Sequence, residues 1–414
     1  MAGRPLRVAV VGAGWAGLAC AVAAVEAGAQ VTVFEASRGA GGRARTVADT
    51  TSALDNGQHI LIGAYVDTLA LMRRVGADPD ALLLRLPLSL RFADGGGLAL
   101  RRGPAMPALL HGVATARGWS WSERFALLRT ALAWRLRGFR CDARLTVAEL
   151  CASLPPRVID ELIEPLCVSA LNTPIGDASA EVFLRVLRDA LLSTSGGSDL
   201  LIPRADLDAL LPAPALRWLA AHGARLNIGR RVRGIERTDA GWQVDEATFD
   251  RVVLACPAGE AARLVETHSK RWSDQARALR HEAIATVYAR TEGVLARPML
   301  ALRGGPAQFV FDRGQLGGPA GLLAFVASAW QGEREALDAA VAAQAREQLG
   351  LAIEPVATLI DKRATFACTP GLSRPSKTIV DGLLACGDYL EGPYPATLEG
   401  AVRSGQAAAT AALR

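Results

Sequence analysis

The spacing Gly12-x-Gly14-x-x-Gly17 constrains this chain more than any other feature. It follows a short apolar run, Leu6–Val11, and precedes a small-residue stretch, Leu18–Ala27, that ends at Gly28. A second run, Val31–Phe34, leads to Glu35. Continuous β-branched runs of this length read as buried parallel strands, and strand, helix and strand make a βαβ unit. Gly12 permits the tight turn, Gly14 lets backbone approach a pyrophosphate, and Gly17 allows close helix–strand packing. The helix start at Trp15 and Ala16 offers unpaired N–H groups and a positive dipole end to phosphates. Glu35, with Ala36 beside it, is placed to accept from ribose hydroxyls.

Three further segments carry chemistry. In Gly41-Gly42-Arg43, two glycines let the chain pass close to a pyrophosphate and Arg43 can pair with its charge; Arg45 is a nearby alternative. In Asp55-Asn56-Gly57-Gln58-His59, polar side chains precede apolar Ile60–Ile62, as expected of a segment lining a ring system. Near the other end, Leu384–Cys386 reads as a strand ending in Gly387-Asp388, followed by a helix starting near Thr397 and Leu398. Asp388 can accept from ribityl hydroxyls, and the helix start can stabilise negative charge on a reduced isoalloxazine. A second cofactor segment so far along the chain favours a flavin over a nicotinamide.

The 414 residues exceed one ordinary core and imply two domains. Residues 68–190 read as helical, with breaks near Pro79, Pro104 and Pro155. A helix over 207–221 is interrupted by Pro212 and Pro214. Strands are expected at 225–228, 231–237, 242–244 and 251–255, and a separate sheet at 284–290, 308–312 and 321–327. Residues 334–349 read as helix. The expected fold is α/β: a Rossmann-like cofactor domain (1–75, 195–265 and 375–414) interleaved with an α+β substrate domain (76–194 and 266–374).

Seven cysteines without C-x-x-C spacing give no zinc or dithiol motif and suit reduced thiols in a cytoplasm. A net charge of +5 without a dense basic stripe does not point to nucleic acid. The first 25 residues are not read as a leader, because their glycine spacing leads into a second strand with an acidic end. Residues 104–140 combine Trp119, Trp121, Phe125, Trp134 and Phe139 with arginines. That composition suits either a helical cap or a helix lying in a bilayer interface.

Taken together, the glycine triad, Glu35, Gly41-Gly42-Arg43 and Gly387-Asp388 resemble the FAD-dependent amine oxidase/phytoene desaturase superfamily. The resemblance implies FAD as cofactor and a two-domain, amine oxidase-like flavoprotein. It also implies that Val232 holds adenine through backbone atoms. Within it, Asp55–Tyr65, Leu201–Arg204 and Pro395–Gly405 resemble the hydroxysqualene dehydroxylases of bacterial hopanoid pathways, whereas Tyr389–Tyr394 departs from their pattern. Amine oxidases carry an aromatic where Thr397 stands, and no lysine here matches their flavin-adjacent one. The cofactor set implied is Gly12, Gly14, Trp15, Ala16, Gly17, Glu35, Ala36, Gly42, Arg43, Gly57, Gln58, His59, Val232, Gly387, Asp388, Thr397 and Leu398. The substrate implied is an apolar isoprenoid alcohol whose hydroxyl leaves as an acid protonates it, with hydride from reduced FAD. His59, Tyr389 and Glu391 are the candidate acids. A carotenoid-type desaturase, an amine oxidase and a non-enzymatic flavin binder are the alternatives. The place expected is the cytoplasm, with or without peripheral attachment to the inner face of the cell membrane; the sequence is silent on oligomeric state.

Overall fold

The computed structural model describes residues 4–47, 54–192 and 196–414. Strand β1 (Arg7–Val11), helix α1 (Trp15–Glu26) and strand β2 (Gln30–Glu35) form the opening βαβ unit. A Cβ on Gly17 would lie 1.9 Å from the Gly12 carbonyl oxygen and 2.9 Å from Ala255 Cβ, so only glycine lets α1 seat this closely on the sheet. Gly12 itself has φ +116°, which side chains avoid.

Helices α2 (Ala105–Ala114), α3 (Trp121–Leu136) and α4 (Ala180–Leu192) follow. A capping box starts α3: Ser120 N–H donates to the Glu123 carboxylate at 2.7 Å while Glu123 N–H donates to Ser120 Oγ. The expectation of helix throughout 68–190 needs correction. Leu83–Leu86 is a strand pairing with Leu200–Pro203, and Ser89–Arg91 and Gly97–Ala99 form a hairpin. A leucine-rich run has no period that separates buried strand from helix, and Gly95 and Gly97, both at positive φ, turn the chain back. The boundary drawn at 194/195 lies outside the described residues.

Pro212 starts a helix (Pro212–Ala221) rather than interrupting one; the preceding helix ends at Leu210. The strand expected at 231–237 is confined to Ile235–Thr238, because the N–H groups of Arg233 and Gly234 bond the Asp245 carboxylate instead of a neighbouring strand.

The elements that build the two principal sheets and pack on them include β3 (Arg225–Ile228), β4 (Arg251–Leu254), β5 (His281–Arg290), β6 (Met299–Ala301), β7 (Phe309–Asp312), β8 (Leu322–Ser328), α5 (Arg334–Leu349), β9 (Glu354–Phe366), β10 (Thr378–Val380), β11 (Leu383–Ala385) and α6 (Leu398–Ala412). One sheet runs β3-β2-β1-β4-β11-β10, parallel except for the β10 edge. Helix α6 packs on α1 so closely that a Cβ on Gly405 would lie 2.1 Å from the Ala16 carbonyl oxygen.

The other sheet runs β6-β7-β8-β5-β9 and is antiparallel. Side chains of β5, β7 and β8 alternate between its two faces. Ala285, Val287, Val310, Leu323 and Phe325 pack with Leu337, Val341 and Ala345 of α5. The intervening Ile284, Thr286, Phe309, Phe311, Val326 and Ser328 turn to the opposite face, which lines a cavity.

Candidate active site

The two sheets enclose opposite sides of one cavity of about 1110 Å³. From the parallel sheet come the loops beyond the C-terminal ends of β1, β2, β4 and β11, the position where open α/β sheets bind ligands. From the antiparallel sheet comes a strand face. Helices α2, α3 and α4 close an arm lined by Met106, Leu109, Val113, Leu127, Leu128, Trp134, Phe183 and Leu187. The cavity therefore has a polar, glycine-rich end and a long apolar end.

At the polar end, Gly41 N–H donates to the Ala13 carbonyl at 2.8 Å, tying the Gly41-Gly42 loop against the start of α1. Gly14 caps α1 without a side-chain hydrogen bond and no acidic residue stands in the first turn, so the helix end keeps its attraction for an anion. A Cβ on Gly14 would find only Gly42 Cα, 3.8 Å away, which marks open space over Gly14. Glu35 is braced from within: Ala13 N–H and Ser37 N–H donate to it at 2.7 and 2.8 Å. Arg43 joins the two ends of the chain, donating to Asp388 at 2.5 Å and to the Ala364 carbonyl at 2.6 Å. Both contacts hold the guanidinium at the cavity wall.

At the junction of these two ends, His59 Nδ1, Thr286 Oγ1 and Tyr389 Oη are buried without a hydrogen-bond partner. Asp189 Oδ2, also on the wall, is a fourth; buried polar groups in proteins are almost always paired, so such orphans beside one cavity fit a polar ligand edge. Burial pulls His59 down to about 4, with the Arg43 cation adding to it, and the imidazole is neutral near pH 7. Burial pushes Tyr389 well above 10, so it remains a phenol. The open glycine cradle, the uncapped helix start and these orphans fit FAD, whose pyrophosphate would lie on α1 and whose ring would meet the junction.

Of the residues picked from sequence, Gly12, Gly14, Trp15, Ala16, Glu35, Ala36, Gly42, Arg43, Gly57, Gln58, His59, Val232, Gly387, Asp388, Tyr389, Thr397 and Leu398 lie together on the cavity wall. Gly17 is instead a packing residue behind it. Glu391 is exposed and off the wall, because the loop after Leu390 turns outward and fixes its N–H to the Pro375 carbonyl. Thr397 lies at the end of α6 as expected, but its hydroxyl is used as the helix cap, accepting from Gly400 N–H at 2.9 Å.

Sequence reasoning missed Thr286, Asp361 and Asn172, polar residues on the wall that carry no motif. It also missed the role of Glu399. That buried carboxylate accepts from Asp67 N–H, Thr68 N–H and Thr68 Oγ, capping a helix (Val66–Arg74) that has no cap of its own. An acid inside an apolar helix start was the available signal.

Comparison with known proteins agrees with this geometry. An oxidoreductase from Methanosarcina mazei superposes with a TM-score of 0.74 at 17% identity, covering 97% of this chain and 99% of its own, so the fold is shared. Two curated relatives are hydroxysqualene dehydroxylases. The Rhodopseudomonas palustris protein is 29% identical over 97% of both chains, and the Zymomonas mobilis protein is 27% identical over 98% of both. The sequence pattern of the flavin containing amine oxidoreductases matches residues 15–413. With a glycine cradle, an uncapped helix start and that match along nearly its whole length, the chain belongs to the flavin containing amine oxidoreductase family, as an FAD-dependent oxidoreductase.

Proposed function

We propose that the protein converts hydroxysqualene to squalene, a step of squalene and hopanoid biosynthesis. The observation that carries this reading is the shape of the cavity: a cofactor cradle opening directly into an apolar arm, with the unpaired His59 Nδ1, Thr286 Oγ1 and Tyr389 Oη on its wall. A long isoprenoid fits the arm, and a single oxygen fits the junction. The full-length relatives named above act, by their names, on this substrate.

Reduced FAD, when bound, supplies the hydride. The chain's residues do the rest. The aliphatic walls exclude water, which would otherwise trap an allylic cation. Tyr389 holds a proton on a buried phenol with no other partner and donates a hydrogen bond to the departing oxygen. His59, neutral at the same junction, is the second candidate. Residues 1–75, 195–265 and 375–414 serve the cofactor, and 76–194 with 266–374 serve the substrate. Peripheral attachment to a membrane belongs to the same reading, since the substrate is insoluble in water; no helix among the described residues is long and apolar enough to cross one.

The test is anaerobic reduction of the purified flavoprotein followed by hydroxysqualene. Reoxidation of the flavin with squalene formed supports the reading. Inert reduced flavin sinks it, and the oxidised protein would then be tried on carotenoid hydrocarbons, which suit the same apolar arm.

A further inference from the structure

Among the described residues, the exposed large apolar side chains concentrate on two neighbouring helices. Trp121, Phe125, Leu132 and Leu136 of α3 are 76, 68, 56 and 78% exposed, and Leu110 of α2 is 49% exposed. Spacings of four, seven and four residues put the α3 side chains within about 60° of one another around the helix axis, a single stripe. Burying such a stripe inside the chain is the ordinary outcome; here it faces outward.

Two features say what covers it. The first is charge. Arg129, Arg135, Arg137 and Arg140 on and just after α3 are exposed and form no ion pair among the described residues. From Arg117 to Arg144 there are seven arginines against Glu123 and Asp142, an excess equal to the net charge of the whole chain. The second is continuity. Leu110 and Leu132 are exposed and also line the cavity, and Arg135 lines it beside them. The apolar arm therefore opens between α2 and α3, next to the stripe.

We propose that α2 and α3 dock on an anionic lipid bilayer, with Trp121, Phe125 and Leu136 in the interface and the mouth between Leu110 and Leu132 facing the acyl chains. An apolar substrate then passes from lipid to cavity without crossing water. Arginines flank the stripe at the level of the phosphates, as in helices that lie in the plane of a membrane surface. The choice of isoprenoid as passenger rests on the function proposed above; the docking surface does not.

The test separates the two. Holoenzyme is floated with phosphatidylcholine vesicles, with and without phosphatidylglycerol, at low and high salt. Wild type is expected to float with the anionic vesicles and to be released by salt. The double variant Phe125→Ser/Leu136→Ser, at positions off the cavity wall, is expected to lose about tenfold or more in partitioning. With hydroxysqualene delivered in vesicles, its KM rises about as much, while kcat and KM for detergent-dispersed hydroxysqualene stay at wild-type values. Wild type that stays with the soluble fraction overturns the surface. So does a variant that floats like wild type; if it is also smaller than wild type by light scattering, the stripe is a contact between copies. Flotation without turnover leaves the surface standing and removes the proposed reaction.

Discussion

The parallel sheet and the antiparallel sheet meet the same cavity by different means. The parallel sheet offers strand ends, so backbone and glycines form its wall: Gly12, Gly14, Gly42 and Gly387. The antiparallel sheet offers a face, so its wall is made of alternate side chains: Ile284 and Thr286 of β5, Phe309 and Phe311 of β7, Val326 and Ser328 of β8. A wall of backbone is specified by what cannot be there, namely a Cβ. A wall of side chains is specified by what is there and can be changed residue by residue. Cofactor binding should therefore be brittle, and substrate preference adjustable.

The sharpest way to break that contrast is Gly17→Ala. A Cβ 1.9 Å from a carbonyl oxygen must push α1 off the sheet, and we expect a loss of about 3 kcal/mol or more, read as a lower midpoint in denaturant. A midpoint within error of wild type would mean that the backbone side tolerates change after all.

Acid stability probes the junction. The folded His59 binds its proton near 4 rather than 6.5, so the unfolded chain binds more protons in between. Stability is then intact above about 6.5 and falls as the pH drops towards about 4, by on the order of 3 kcal/mol. His59→Leu should flatten that limb of the unfolding profile; an unchanged limb would assign it to other groups.

Gly14→Val tests the cradle, where a Cβ meets only Gly42 Cα at 3.8 Å. The branched side chain fills the space over Gly14, and FAD affinity should fall about 10–100-fold. Flavin lost on gel filtration, and a smaller rise in melting temperature on adding FAD, would register it. Tyr389→Phe keeps the ring and removes the orphan hydroxyl, so kcat should drop about tenfold or more with FAD content unchanged. Glu391→Gln, on the exposed turn, should leave kcat within about twofold; a large loss there would return the acid to the rim.

The same contrast explains what could be read from the sequence. The opening βαβ unit was legible because its signals are local: a strand, three glycines at fixed spacing, a strand and an acid. Helix α5 was likewise local, and its bounds at 334 and 349 are those expected. By contrast β9, thirteen residues long, went unread because Pro355 and the charged run Asp361-Lys362-Arg363 look like loop, and only its ladder to β5 makes it a strand. On the cavity wall, Phe309 and Phe311 look like any core pair. That their partner is a cavity rather than a helix depends on which face α5 covers, a tertiary fact with no trace in the period.

The strand order has a consequence for how the chain is made. Strand β1 lies in the middle of its sheet, between β2 and β4, and its register to β4 joins Val8 to Arg251. At about 5–20 residues per second on the ribosome, the nascent β1 waits on the order of ten to fifty seconds for that neighbour. The Arg43–Asp388 pair closes later still, when nearly the whole chain has emerged. An open edge of β-branched residues is thus held in the cell for most of the synthesis time, and chains truncated before residue 388 should be recovered in aggregates rather than as a smaller flavoprotein.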